Sequence, residues 1–432
     1  MVAFARSRLF PPAPHLLAFA VPAIPPVPLR LGVLGLGRAF TLLLPALRAD
    51  PRIRLLAAAD PNPAARARFA AEIAPATFDT AEALAADPAI EAIYIATPHQ
   101  YHAAHAIAAC RAGKHVLVEK PMALTLADAE AMIAAAHAAK VALIVGPSHS
   151  FDAPIAAARA LIASGRYGRV RMMTLLTATD FLYRPRRPEE LDTAQGGGVV
   201  FNQAAHQLDI ARLLGGGDLG WIRAATGAWD PARRTEGAYT ALAGFRDGAV
   251  ASLTYTGYAR YDSDALMGWI GEDGRPRRPA LPGAARARLA GDDESRLRAA
   301  RGYATAPEAP APAAHPHFGY ALIQCEGADL RPTPYGVEIH ADHDRSFHST
   351  PPGPPPVLDA LWHAIRHGRM PAQTGAWGLA TLEACLGLLT SAREHREIPL
   401  TRQLALRDAA GNATAGATPE EDVMPQPHSP AP

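Results

Sequence analysis

The stretch VLVEKP, residues 116–121, places Lys120 directly after Glu119 at the end of an apolar run. A lysine in a water-poor crevice beside a carboxylate loses its proton closer to neutral pH and then serves as acid or base. Left at the surface, the same pair is a salt bridge before a proline turn. A second stretch, GGGVVFNQAAHQLD, residues 196–209, carries Asn202, His206 and Asp209 at spacings i, i+4 and i+7, which a helix would put on one face. His206 there is either a proton-transfer group or a core histidine satisfied by Asp209. Upstream, GLGRAF gives a G-x-G turn at Gly35 and Gly37, followed by Arg38. The first glycine of such a turn permits the bend, and the second lets the backbone approach a pyrophosphate at a helix N-terminus. Phe40 stands where a third glycine is usual, so the turn alone also reads as an ordinary strand–helix junction. Asp60 adds weight, because it closes the second apolar run, where an acid meets the ribose hydroxyls of a dinucleotide. No Arg or Lys follows it immediately in DPNPAAR, which favours NAD over NADP, although Arg66 and Arg68 come soon after.

The elements that must hold these groups are legible in outline. LRLGVL, IRLLAAAD, AIEAIYIATP, KHVLVEKP and VALIVGPSH are apolar runs separated by alanine-rich helical stretches, one of them ending near Gly113. That alternation predicts a parallel, doubly wound sheet over residues 29–146. The rhythm then changes. YTALAGFRDGAVASLTYTGY has an Asp247-Gly248 turn between extended runs, which is hairpin chemistry and predicts an antiparallel sheet. Residues 272–315 are dense in charge, Pro and Ala and read as an insertion, partly helical and partly disordered. Two amphipathic helices follow, within a second domain expected over 147–401. Residues 1–28 read as a disordered extension or an over-long start rather than a targeting signal, since prolines interrupt their apolar part, and 402–432 as a disordered tail.

Composition excludes several functions. With 42 Lys+Arg against 41 Asp+Glu, the net charge of +1 gives no reason to expect nucleic acid or an anionic membrane as partner. No apolar run is long enough for a membrane span. Cys110, Cys325 and Cys385 lie far apart without a CxxC, which suits a reducing cytoplasm rather than a disulfide framework or zinc site. His99, His102 and His105 fit one helix face poorly as ligands, and no metal is expected. His315 and His317 in AHPHFG either close over a ligand or sit at the surface.

Taken in order, the G-x-G turn, Asp60, ATPHQYH, AGKHVLVEKP and GGGVVFNQAAHQLD resemble the glucose–fructose oxidoreductase and inositol dehydrogenase family over about residues 29–400. The resemblance implies an N-terminal Rossmann domain and a C-terminal α/β domain with an open, mostly antiparallel sheet. It also implies NAD or NADP as cofactor, and a homodimer or homotetramer. It puts Thr97, Pro98 and His102 on the nicotinamide side, Glu119 at the cofactor ribose, Lys120 facing substrate and His206 beside the reacting hydroxyl. Asn202 departs from the family's usual Asp, and an amide cannot exchange a proton.

The stretches SHSFDAP, TDFLYRPRRPEELD, HPHFGYALIQCEGADL and WGLATLEACLGLL narrow the resemblance to the phthalate cis-4,5-dihydrodiol dehydrogenase branch. That branch oxidises a dicarboxylated cyclohexadiene diol to a catechol. It would explain Arg184, Arg186 and Arg187 as a carboxylate clamp, whereas Glu189, Glu190 and Asp192 could absorb the same charges as surface pairs. The sequence thus predicts a dehydrogenase acting on CH-OH or CH-CH donors of an acidic cyclic small molecule. A sugar or polyol dehydrogenase of the same fold, and a non-catalytic NAD-binding regulator, are its competitors.

Overall fold

The computed structural model describes residues 27–307, 310–351, 353 and 355–406. The extension expected over 1–28 therefore lies outside the described residues except for Val27 and Pro28, as does the expected tail beyond residue 406.

The first third alternates β1 (Leu29–Leu34), α1 (Arg38–Ala49), β2 (Ile53–Ala59), α2 (Pro63–Glu72), β3 (Ala76–Phe78), α3 (Ala81–Ala86), β4 (Ala92–Ile95), α4 (His102–Arg111), β5 (His115–Val118), α5 (Leu126–Ala139) and β6 (Leu143–Val145). The six strands make one parallel sheet in the order β3-β2-β1-β4-β5-β6. Leu31, Val33, Ile95, Val116 and Val118 are enclosed on both faces of it, which is why its strands read as unbroken apolar runs. The winding reverses between β1 and β4, and the carboxyl ends of those strands open the crevice where this architecture takes ligands.

The rest of the chain runs α6 (Ala153–Ala163), β7 (Val170–Ala178), α7 (Ala205–Leu214), β8 (Leu219–Gly227), β9 (Ala238–Phe245), β10 (Val250–Thr256), α8 (Ala284–Ala290), α9 (Glu294–Ala299), β11 (Tyr320–Cys325), β12 (Ala328–Thr333), β13 (Gly336–Ala341), β14 (Asp344–Ser349), α10 (Pro356–His367), α11 (Gly375–Glu394) and β15 (Ile398–Pro399). Its nine strands form a second sheet, β14-β13-β12-β11-β7-β10-β9-β8-β15, antiparallel except where β7 meets β10. The Asp247-Gly248 turn closes the β9–β10 hairpin, with Gly248 at φ +93°. Helices α6, α7 and α11 cover one face, while Met172 and Leu242 on the other are 48% exposed.

Two late segments cross back to the first sheet. Val357, Leu358 and Leu361 of α10 join the core of Leu29, Leu31 and Leu117. Arg366–Glu91 at 3.0 Å and Arg52–Asp359 at 2.6 Å pin that helix in place. From the segment expected as an insertion, Tyr303 packs edge-on against Phe40 at 5.1 Å, the residue standing at the third glycine position.

Candidate active site

Between the two sheets lies a cleft of about 2210 Å³. Ordinary small-molecule sites are roughly 300–1,000 Å³, so this one has room for a dinucleotide and a substrate together. Gly35, Gly37, Arg38, Asp60, Thr97, Pro98, Glu119, Lys120, Arg184, Arg186, Arg187, Asn202 and His206 all line it.

At one end, β1 runs into the glycine turn. Gly35 sits at φ +95°, and a Cβ there would meet the Ala96 carbonyl oxygen at 2.8 Å, so side chains are excluded twice over. Gly37 opens α1 with bare backbone, and a Cβ would project into empty space. Asp60 is fixed facing this turn, because its carboxylate accepts the Leu36 amide at 2.7 Å and the Asn62 amide at 2.8 Å. Arg68 is engaged elsewhere, donating to Glu72 and to the Tyr303 and Ala306 carbonyls. These features fit a dinucleotide: open backbone at a helix N-terminus, an acid at the ribose position, and no free Arg68 for a 2′-phosphate.

At the next strand ends, the Thr97 hydroxyl pairs with His105 Nδ1 at 3.1 Å, and His99 Nδ1 reaches across to the Gly196 carbonyl at 3.1 Å. His102 does not line the cleft itself: it lies behind Thr97, fully enclosed, with its ring nitrogens 2.8 Å from the Pro121 and Thr97 carbonyls. Burial pulls it down to about 4, against the two carbonyls that favour its charged form.

Glu119 accepts the Tyr94 hydroxyl at 2.6 Å, and burial raises its carboxyl above the usual range against the pull of Tyr94 and Lys120. Lys120 donates to the Asn202 carbonyl at 2.6 Å. Burial lowers its ammonium to about 8, with Glu119 and Glu272 opposing and Arg186 assisting. That is the range in which an amine acts as a general base near neutral pH.

The triple-glycine stretch starts α7 through a π-turn over Val200–Ala204. Gly198 is at φ +78°, and a Cβ there would collide with the Glu236 carboxylate. Asn202 and His206 line the cleft, but Asp209 does not share their stripe. The Asn202 amide turns back to donate to the Gly198 carbonyl at 2.7 Å. Asp209 lies behind, accepting from Ser148 and Ser150 at 2.6 Å and from the Trp377 indole at 2.5 Å. It therefore anchors the helix and does not pair with His206. The backbone amide of His149 donates weakly to His206 Nδ1 at 3.4 Å. Burial, with Lys120 and His149 nearby, holds His206 well below the ordinary histidine range. The neutral ring, accepting at Nδ1, leaves an Nε2 hydrogen for the cleft.

Several neighbours went unnoticed in the sequence. His149 stacks edge-on against His206 at 4.7 Å and pairs with Asp152 at 2.7 Å. Glu272, at the start of the expected insertion, receives Arg184 at 3.0 Å. Burial works to raise its carboxyl, but Arg184 and the nearby histidines outweigh that and hold it at about 2. A Ser-His-Ser-Phe-Asp run just past the last strand of a doubly wound sheet was the available signal for His149 and Asp152; Glu272 had none.

The three clamp arginines differ. Arg184 is paired with Glu272 and Asp180, and the more exposed Arg187 with Glu189 and Glu190. Arg186 is only 10% exposed; it lies 3.6 Å over the Phe181 ring, and its closest carboxylate, Glu190, is 3.9 Å away. Its buried Nε has no partner among the described residues. Burial pulls its guanidinium down to about 9. Arginine keeps its proton in proteins, so this is a buried cation whose Nη2 donates to the Phe181 carbonyl at 2.8 Å and whose Nε is left over. His317 is buried, bonded to Ile270 and Gly319, while His315 lines the cleft. Among the described residues, no group of three His, Cys, Asp or Glu is placed to hold a metal ion.

Comparison with known proteins gives the family and the fold. Residues 29–147 match the oxidoreductase family with an NAD-binding Rossmann fold, and residues 155–276 match the GFO/IDH/MocA C-terminal domain. A 1-carboxy-3-chloro-3,4-dihydroxycyclohexa-1,5-diene dehydrogenase from Comamonas testosteroni is 47% identical over 378 residues, covering 84% of this chain and 94% of that one. The inositol 2-dehydrogenase of Rhizobium meliloti is 33% identical over 185 residues, 43% of this chain and 54% of its own. A crystal structure from Bordetella bronchiseptica RB50, described as a dehydrogenase, superposes with a TM-score of 0.82 at 39% identity, covering 86% of this chain and all of that one. The chain is thus an NAD-type oxidoreductase and belongs to the GFO/IDH/MocA family.

Proposed function

We propose that this dehydrogenase oxidises a cyclic cis-dihydrodiol bearing a carboxylate to the corresponding catechol, with NAD preferred over NADP. The observation that carries the reading is Arg186, a buried guanidinium lining the cleft that also holds Lys120, whose Nε has no partner among the described residues and whose carboxylate neighbour, Glu190, stays 3.9 Å away and is shared with Arg187 and Arg298. The Comamonas testosteroni relative, named for a carboxylated dihydroxycyclohexadiene, supports it.

NAD held at the glycine turn by Gly35, Gly37 and Asp60 would supply the hydride acceptor for the carbinol carbon. Neutral Lys120 takes the hydroxyl proton, and His206 orients the same oxygen through its Nε2 hydrogen, with His149 and Asp152 beyond it. Arg186 holds the carboxylate in a charge-assisted pair, while Arg184 stays with Glu272 and shapes the wall. The hydroxy-ketone product then enolises, losing its ring C–H proton while the carbonyl oxygen gains one, and becomes the aromatic catechol, which drives the oxidation.

The test is NADH formation from NAD with carboxylated and uncharged cyclic dihydrodiols, dicarboxylated ones included, and with inositols. Reduction confined to carboxylated diols supports the reading. Reduction with inositol and not with the acids replaces it with polyol oxidation, leaving Lys120 and His206 in place.

Among the described residues no helix is long and apolar enough to cross a membrane. With Cys110, Cys325 and Cys385 all free, we place the protein in the cytoplasm. The open sheet face around Met172 and Leu242 would join copies into a dimer or tetramer, which sedimentation would detect.

A further inference from the structure

We propose that Arg301, reaching in from the segment after α9, closes over the glycine turn and binds the pyrophosphate of NAD together with Arg38. The inference concerns the cofactor and stands whichever alcohol is the substrate.

Arg38 is the first residue of α1, directly after Gly37, and that helix has no side-chain cap. Its Nε is buried without a partner among the described residues. Arg301 lines the same cleft and makes no side-chain hydrogen bond or ion pair among the described residues. The nearby carboxylates are committed to other cations. Asp273 pairs with Arg275 at 2.8 Å, and Glu190 with Arg298 at 3.3 Å and Arg187 at 3.5 Å. Burial pulls Arg301 down to about 10, and Arg38, Arg184 and Arg298 push it the same way. Two guanidiniums thus border the cleft beside the glycine turn with no carboxylate among the described residues in contact with either, Asp273 and Glu190 acting on them only from a distance, and a diphosphate supplies the missing direct partner.

Arg301 is held in place by a latch two residues on. The Tyr303 amide donates to the carbonyl of Leu36, the middle residue of the glycine turn, at 3.2 Å. Its hydroxyl donates to Glu72 at 2.9 Å, and its ring lies under the Arg68 guanidinium at 4.6 Å. Arg68 also holds the Tyr303 and Ala306 carbonyls at 2.5 and 2.7 Å. The cofactor site therefore has a floor from β1 and α1 and a roof from a segment more than half the chain away.

The experiment is calorimetric titration of the full-length protein with NAD, ADP and adenosine. Arg301→Gln should weaken NAD and ADP by roughly 10- to 100-fold, the worth of a charged hydrogen bond, and leave adenosine unchanged. Arg301→Lys should recover part of the loss. Wild-type affinity for ADP in Arg301→Gln overturns the proposal, and so does an equal loss for adenosine. Phenylglyoxal labelling of the unmutated protein is an independent check. ADP should shield Arg301 and adenosine should not; failure of ADP to shield it overturns the proposal as well.

Discussion

The two walls of the cleft are built on opposite principles. The wall from the first sheet is mostly backbone and short turns: Gly35, bare Gly37, and an Asp60 whose carboxylate is held by two amides of the same loops. The facing wall is made of long charged side chains, Arg184, Arg186 and Glu272, drawn from two segments far apart in the chain. A backbone wall recognises what every dinucleotide shares. A side-chain wall can be re-chosen residue by residue, so specificity for the alcohol belongs there. Lys120 sits on the first wall but is gripped by the second through the Asn202 carbonyl.

The sharpest way to break this comparison is Lys120→Ala, expected to lower turnover by roughly two to four orders of magnitude with NAD affinity nearly intact; fluorescence titration and steady-state rates separate the two. Next comes Arg186→Gln. It should cost about 10- to 100-fold in kcat/KM for a carboxylated diol and nothing for an uncharged one, and an equal loss on both would return Arg186 to a structural role. The pH profile follows from Lys120. Its neutral form is the base, so kcat/KM for oxidation should rise with pH and level off above about 8. Asn202→Asp would put a carboxylate near Lys120, raising the amine and shifting that profile alkaline by roughly one unit, a several-fold loss at neutral pH. The smallest effect belongs to Ser150→Ala, which removes one of the donors on Asp209; about 1 kcal/mol of stability should go, read by thermal unfolding, with the rate on substrate unchanged.

The same contrast explains what was legible. The glycine turn, Asp60, the Glu119-Lys120 pair and the triple glycine are local arrangements, each explained by a few neighbouring residues, so the sequence exposes them. Spacing misled at Asp209, where an i, i+7 relation suggested a shared face with His206. The π-turn at Val200–Ala204 and donors from Ser148, Ser150 and Trp377 gave it a different task. Nor does any local pattern show that the His102 imidazole sits between the Thr97 and Pro121 carbonyls. His149, Glu272, Arg301 and Tyr303 gain their meaning only from partners far off in the chain, and no periodicity encodes such pairings. Residues 272–315 read as an insertion, partly helical and partly disordered, because charge and proline hide the contacts that Glu272 and Tyr303 make far away in the chain.

Helix α10 has a consequence for how the protein is made. Val357, Leu358 and Leu361 complete a core begun at Leu29 and Leu31. A ribosome that has released the six parallel strands has not yet supplied that side of their cover, and will not until residue 367 has left the exit tunnel. Through most of synthesis the nascent sheet therefore lacks that apolar cover, and exposed surface of this kind is what makes incomplete chains prone to aggregate.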